Sequence, residues 1–274
     1  MRIHDARLFA SLHRPGDPLL LANAWDVASA VAIASAGAKA IATTSAGVAW
    51  SLGVPDGADL GADRAAAVIG RISAAVPVPV SADIEAGYGE TPEAVAATVT
   101  AVARAGAVGV NIEDRRDHPS LFGPAEQAER LAAARAATGN SPMWINARTD
   151  VFLSGAYATT SAGLAAALQR AAVYAEAGAD SLFVPGLADL AAIAELAAGP
   201  LPVAVMAGPG APTVAELTAA GPVRISLGSA IAQAAYGLAA RAATELFTTG
   251  TYDSNSNGLS YAAMNDALYP RDPR

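Results

Sequence analysis

Glu176-Ala177-Gly178-Ala179-Asp180-Ser181-Leu182-Phe183-Val184 closes an Ala-rich helix and, within a few residues, opens a short apolar strand. Glycine just past a helix takes a positive φ that a Cβ would resist, so Gly178 reads as the stop and Ser181 to Val184 as the strand it feeds. The same grammar returns at Ser35-Ala36-Gly37 before Ala40 to Thr44, at Arg104-Ala105-Gly106 before Gly109 to Ile112, and at Ala219-Ala220-Gly221 before Arg224 to Leu227. Extended along the chain, the pattern predicts strands near residues 19–25, 40–45, 79–85, 109–113, 143–149, 181–185, 201–207 and 224–228, with helices between them and one after the last. Strand alternating with helix implies a parallel sheet, and eight such units imply closure into an α/β (β/α)8 TIM barrel. The competing open, doubly wound sheet calls for Gly-x-Gly-x-x-Gly after its first strand, where Asn23-Ala24-Trp25-Asp26 stands instead.

The length of 274 residues suits one barrel rather than two average domains. We read residues 1–248 as the barrel and 249–274 as a C-terminal extension. The extension is either a partly ordered terminus or, through Leu259, Tyr261, Met264, Leu268 and Tyr269, a segment that packs on the barrel or a neighbouring subunit. Apolar residues make up 53% of the chain and charged ones 15%, enough for a large core. A net charge of −8 argues against nucleic acid, whose phosphates need clustered Lys and Arg. Met1 to Pro18 lacks the apolar run of a signal peptide, and no later stretch reads as a membrane span, so a soluble cytoplasmic protein is expected. With no Cys there is no disulfide, thiolate metal site or cysteine nucleophile.

Catalytic groups of such a barrel stand at the carboxyl ends of its strands. The third strand ends Asp83-Ile84-Glu85-Ala86-Gly87-Tyr88-Gly89, where period-two alternation puts Asp83 and Glu85 on one face. The fourth ends Asn111-Ile112-Glu113-Asp114. Carboxylates converging on one rim repel unless a divalent cation sits among them, and hard oxygen donors suit Mg²⁺, with Mn²⁺ as a substitute. Capping of the next helix is the plainer role for Asp114 and Glu90. On the fifth strand Asn146, Arg148 and Asp150 alternate, which offers Arg148 as a planar fork for a substrate carboxylate or as a buried partner for Asp83 or Asp150. Thr43-Thr44-Ser45-Ala46-Gly47-Val48 ends the second strand with hydroxyls and a glycine, either an oxyanion cradle or a capped turn. Trp25 is a packed aromatic or a ligand contact, and Asp56 lies in turn-forming sequence.

Missing residues exclude chemistry too. The only lysine, Lys39, precedes the second strand and faces the barrel bottom, so a Schiff-base aldolase has no candidate. His4 and His13 precede the first strand, which leaves His118 as the imidazole in a loop at the mouth, a proton carrier or a solvated loop residue.

At these positions the chain resembles the isocitrate lyase/phosphoenolpyruvate mutase superfamily, over roughly residues 19–245 and in chain order. The resemblance rests on Thr44-Ser45-Ala46-Gly47-Val48, the Asp56 loop, Ala82 to Gly89, Asn111 to Asp114 and Asn146 to Asp150. It implies that Ser45, with Ala46 and the amides of Gly47 and Val48, holds the substrate carboxylate while Arg148 sits on the same anion. It also implies Mg²⁺ bound most directly by Asp83, with Asp56, Glu85 and Glu113 around it, and a homotetramer that exchanges or packs its last helices. Trp25 and Asn146 complete the expected substrate contacts, and Arg148, Asp56 and His118 are the catalytic candidates. Members that cleave isocitrate or methylisocitrate carry a Lys-Lys-Cys-Gly-His-type loop after the Glu-Asp pair. Here Arg115-Arg116-Asp117-His118-Pro119-Ser120-Leu121-Phe122-Gly123-Pro124 stands there, with neither Cys nor Lys.

The expected reaction is carbon–carbon cleavage of a small 2-oxo or 2-hydroxy acid through an enolate stabilised by the metal. A phosphonomutase or a C–C or P–C hydrolase is the next reading. Gly208-Pro209-Gly210 and Gly228-Ser229 raise a phosphate-binding barrel as a rival, and a metabolite-binding barrel without catalysis is the rival outside enzymes.

Overall fold

A computed structural model describes residues 3–269, except 59, 118 and 140. Nine short strands, all parallel to their neighbours, form a nearly closed barrel: β1 (Leu19–Leu21), β2 (Asn23–Ala24), β3 (Ile41–Thr43), β4 (Val80–Asp83), β5 (Gly109–Glu113), β8 (Trp144–Arg148), β9 (Ser181–Val184), β10 (Val203–Met206) and β11 (Arg224–Ser226), with β6 (Arg115–Asp117) and β7 (Ser120–Leu121) forming an antiparallel hairpin outside it. The strand order is β1-β11-β10-β9-β8-β5-β4-β3-β2. The first expected strand is divided at Ala22, so that β1 pairs with β11 (Leu19↔Arg224) while β2 pairs with β3 (Asn23↔Ala42). One run of chain thus belongs to both ends of the sheet, and the eight expected strand positions are all occupied.

Most strands stop one or two residues earlier than the sequence suggests, because the next residues are drawn into caps and turns. Thr44 leaves the second strand to cap α3 (Ser45–Ser51). Helices α4 (Ala62–Ala75), α5 (Pro92–Arg104), α6 (Pro124–Thr138) and α7 (Thr160–Glu176) follow in the barrel's outer ring, with α2 (Val27–Ser35), α8 (Leu190–Ala197) and α9 (Val214–Ala219). In α5 the Thr91 hydroxyl accepts from the Ala94 amide at 3.3 Å and Pro92 opens the first turn, a cap worth about 1 kcal/mol. Val95, Thr98, Val99 and Val102 then recur at helical spacing on the buried face, each valine contributing roughly 1.5–3 kcal/mol. The helix ends at Ala105-Gly106, where Gly106 has φ 109° and a Cβ would stand 2.9 Å from Ser73.

The barrel's floor is plugged by α1 (Ile3–Ser11), whose Phe9 packs where a Cβ on Gly109 would strike its ring at 2.8 Å. His13 follows, its Nδ1 2.9 Å from the Phe9 carbonyl and its ring stacked on Trp144 at 4.1 Å. From Trp144 a polar chain climbs the interior: Trp144 Nε1 donates to Ser181 Oγ at 2.8 Å, Ser181 Oγ to Asn146 Oδ1 at 2.6 Å, and Asn146 Nδ2 to Asn111 Oδ1 at 2.8 Å. Arg224 is buried with none of its guanidinium nitrogens hydrogen-bonded among the described residues.

After the barrel, α10 (Ala230–Thr248), a 3₁₀ turn (Asp253–Asn255) and α11 (Tyr261–Leu268) complete the described chain. Of α10 only Ala232 is buried, and Leu20, on the outer face of β1, is 50% exposed. Helix α11 lies against α2, and Ala267, like Trp25 and Val27, packs against the buried cluster that holds Ala30, Val31 and Val48. Among the described residues no helix is long and apolar enough to cross a membrane.

Burial, and then the charge of Arg224, lower the His13 pKa from 6.5 to about 3, so the folded protein keeps this imidazole neutral. Between pH 3 and 6.5 the unfolded chain binds the extra proton, so stability rises with pH through that window and is lost as pH falls through it. Urea unfolding of His13→Gln should give a pH slope shallower than wild type by up to about 1.4 kcal/mol per pH unit between pH 4 and 6. Equal slopes would mean that the imidazole is solvated in the folded state.

Candidate active site

Backbone geometry gathers acids at the carboxyl ends of β4 and β5. Asp83 ends β4, and its Oδ2 accepts from Ser45 Oγ at 2.9 Å and from the Ser45 amide at 3.3 Å. Its amide donates to Thr43 Oγ1 at 2.9 Å. Glu85 does not share a strand face with Asp83, as alternation predicts, because β4 stops at Asp83 and Glu85 turns into the left-handed region at φ 50°. Tyr88 has φ 51°, a second non-glycine residue in that strained region.

The strained loop is held by its neighbours. The Glu85 carbonyl accepts from the Glu113 amide at 2.9 Å, and Thr98 Oγ1 donates to the Gly87 carbonyl at 2.8 Å. Arg130 on α6, fully buried, donates to the carbonyls of Ala86, Gly89 and Glu90 and, through Nε, to Gln127 Oε1 at 3.0 Å. Gln127 Nε2 in turn donates to the Glu113 carbonyl at 3.2 Å. The Arg130 guanidinium lies 4.1 Å from the centre of the Phe122 ring, and that of Arg116 4.5 Å from it.

The charges are strongly coupled. Burial and then Asp83 and Asp56 push the Glu85 carboxyl up to about 7, and its Oε1 has no hydrogen-bond partner. Burial pushes the Glu113 carboxyl up, against the pull of Arg148. Asp56 is exposed as a residue, yet its carboxyl is also pushed up, by partial burial first and then by Asp83. Asp83 is thus the carboxylate whose charge raises all three others. Burial likewise raises the Tyr88 phenol, and the Glu85 carboxylate beside it adds to the effect.

Arg148, at the end of β8, sits between acids. Its Nη1 is 2.7 Å from Glu113 Oε2, while Nε and Nη2 donate to the two oxygens of Asp150 at 2.6 and 2.9 Å. Burial works to lower its pKa, and Glu113 and Asp150 more than offset that. Asp150 lies past the end of β8, and its amide donates to Asp114 Oδ1 at 2.9 Å. Asp114 Oδ2 accepts from the Tyr174 hydroxyl at 3.0 Å and pairs with Arg170 Nη1 at 3.1 Å. Asp114 and Glu90 therefore do not cap helices: α5 is capped by Thr91, and α6 has Gly123 at its cap position with no side-chain bond.

The other candidates occupy the same end of the barrel or its interior. Ser45, Ala46, Gly47 and Val48 form the buried first turn of α3, where the Gly47 amide reaches Thr44 Oγ1 at 3.5 Å and the Val48 amide the Thr44 carbonyl at 3.0 Å. Trp25 lies beside this turn, and its ring is 6.3 Å from Tyr236 of α10. Asn146 is consumed by the interior polar chain. His118 lies outside the described residues.

Three arginines escaped the sequence reading. Arg115, the first residue of the hairpin, places Nη2 2.5 Å from Asp150 Oδ2. Arg130 and Arg170 carried a usable signal: Gln127, Arg130, Leu131 and Ala134 on α6, and Ala167, Arg170, Ala171 and Tyr174 on α7, lie on the buried stripes, where a polar side chain implies a partner.

Hard oxygen donors of this charge, with a buried unpaired oxygen on Glu85, fit a divalent cation. Among the described residues no three acids or histidines close on one point as a ready ligand set.

A parallel barrel with acids and guanidiniums gathered where its strands end has the architecture of a (β/α)8 enzyme. The chain belongs to the phosphoenolpyruvate phosphomutase family, whose model matches residues 9–247, and so to the isocitrate lyase/phosphoenolpyruvate mutase superfamily. It is 40% identical over 240 residues to an uncharacterized protein of Mycobacterium tuberculosis (strain ATCC 25618 / H37Rv), covering 86% of this chain and 87% of the relative. It is 34% identical over 199 residues to 2-methylisocitrate lyase of Salmonella typhimurium, covering 66% of this chain and 65% of that enzyme. Among solved structures, one from Burkholderia cenocepacia J2315, provisionally named a lyase/mutase, superposes with TM-score 0.90 at 36% identity over 98% of this chain and 97% of that one. Another, 2,3-dimethylmalate lyase, gives TM-score 0.78 at 26% identity over 96% and 91%.

Arg130→Met should lower the urea-unfolding free energy by about 2–4 kcal/mol, because the carbonyls of Ala86, Gly89 and Glu90 lose their charged donor in a buried place. A loss below about 0.5 kcal/mol would show that water replaces the guanidinium at no cost.

Proposed function

We propose that the protein is a cytoplasmic, Mg²⁺-dependent lyase that cleaves a carbon–carbon bond of a small 2-oxo or 2-hydroxy di- or tricarboxylic acid, oxaloacetate-like or 2-alkylmalate-like, through an enolate. The observation that carries this reading is the pair of acids at the ends of β4 and β5, Asp83 held by Ser45 and Glu113 paired with the buried Arg148, with the charge of Asp83 felt by Glu85 and Asp56. The names of its relatives, 2-methylisocitrate lyase and 2,3-dimethylmalate lyase, support the same chemistry.

Asp83, with Glu85, Glu113 and Asp56 around it, would hold Mg²⁺ (or Mn²⁺), which would supply positive charge for an oxygen that gains charge in the reaction. Ser45 fixes the Asp83 carboxylate through its hydroxyl and amide. Arg148 has five N–H donors and commits three to Glu113 and Asp150, which leaves two for a substrate carboxylate. In a 2-hydroxy acid the hydroxyl gives its proton to a base as its oxygen forms the carbonyl of the released oxo acid, and the electron pair of the broken carbon–carbon bond stays on the other fragment as an enolate whose carbon then takes a proton. With no Cys in the chain, the donors available are Tyr88 beside Glu85, His118 and water. A second reading, phosphonomutase or C–C or P–C hydrolase, draws support from the family's description.

The catalytic unit in this proposal is a homotetramer. Leu246 and Phe247 on α10 and Tyr261 on α11 are 53%, 82% and 88% exposed, apolar side chains that a neighbouring subunit would cover. Multi-angle light scattering should return the mass of four chains, and Phe247→Glu should lower it. A monomer of wild-type protein at micromolar concentration would remove this part of the reading.

Protein stripped with EDTA should be inactive and regain turnover with Mg²⁺ when oxaloacetate, 2-methylisocitrate and 2,3-dimethylmalate are screened for release of pyruvate or another 2-oxo acid. Full activity with no detectable metal would sink the metal-assisted mechanism. Turnover of phosphonopyruvate alone would favour the second reading.

A further inference from the structure

Two guanidiniums converge on Asp150, and they stand at different depths. Arg148 rises from the barrel wall, its side chain is 13% exposed, and it is engaged on both sides by Glu113 and Asp150. Arg115 reaches in from the hairpin, its side chain is 28% exposed, and its close contact is the single one to Asp150 Oδ2 at 2.5 Å. Its Nε stands 3.9 Å from Glu113 Oε1, too long for a hydrogen bond. Its charge also holds down the carboxyls of Asp56 and Glu113, so it faces the same space as the acidic rim.

An arginine carries five N–H donors in a rigid fork, and one close contact leaves most of Arg115's fork for another anion. The hairpin gives that fork a fixed base. The Phe122 amide donates to the Asp114 carbonyl at 2.8 Å, and the Phe122 ring is clasped between Arg116 and Arg130. A substrate whose 2-oxo acid head lies at Asp83 and Arg148 would carry any second carboxylate outward, toward the hairpin.

We infer that Arg115 binds the distal carboxylate of the substrate and makes the site selective for dicarboxylates over monocarboxylates. This rests on the reading of the site as one for 2-oxo or 2-hydroxy acids and adds to it a residue that sets which of those acids is taken. Arg148 serves the head of the substrate, and Arg115 its far end.

The test compares two probes that share a 2-oxo acid head: pyruvate, with one carboxylate, and 3,3-difluorooxaloacetate, with two. Calorimetric titration with Mg²⁺ present, on wild type, Arg115→Gln and Arg115→Lys, gives six dissociation constants. Arg115→Gln should weaken the diacid by about 10- to 100-fold and leave pyruvate within about twofold, with Arg115→Lys between it and wild type. Equal weakening of both probes would overturn the inference, since it would show Arg115 acting only through Asp150. Unchanged binding of the diacid would overturn it as well. Wild-type protein that binds neither probe would instead overturn the underlying reading of the site, and the selectivity with it.

Discussion

The Arg148 guanidinium, wedged between Glu113 and Asp150, is the interaction on which the rest of the mouth depends. Burial drives each of these charges toward water, and only their mutual pairing keeps them at the strand ends. The pairing fixes Glu113 against Asp83, and through Asp150 it reaches the hairpin that begins at Arg115. Asp114, with Tyr174 and Arg170 behind it, sets the backbone of Asp150 from the far side. What looks like a row of independent strand-end residues is one electrostatic assembly, and a substitution at any member changes the solvation of the others.

The barrel was legible because its signal is local and repeated. Each Ala-Gly stop and each short apolar run reports on its own neighbours, and β5 spans Gly109–Glu113, the bounds that the stop at Gly106 and the run after it suggest. The acids were legible for the same reason, since a strand end is a place that sequence can mark. Glu85 was found for a wrong reason: alternation placed it on a strand that had already stopped, and a left-handed turn delivered it instead. Turns of that kind are sustained by contacts from elsewhere, here Arg130 and Thr98, and no reading of residues 83–89 alone contains them.

Arg115, Arg130 and Arg170 show the other limit. A lone arginine in a polar or Ala-rich stretch reads as solvated, and only its phase on the helix contradicts this. Arg130 and Arg170 fall in step with the buried residues of α6 and α7, so period 3.6 exposes them once the apolar stripe is drawn. Arg115 has no such phase, because its partner Asp150 is brought to it by tertiary pairing of β5 with β8.

The shared anchor at Arg130 bears on how far a change in the hairpin travels. One guanidinium secures both the loop that carries Glu85 and, through Phe122, the root of the hairpin. Arg115 at the start of the hairpin is tied to the site through Asp150, and Arg116 to the Arg130 joint through the Phe122 ring. A change in the hairpin is thus felt by the acids through Arg115 and Asp150, while the loop that carries Glu85 keeps its own anchor in Arg130.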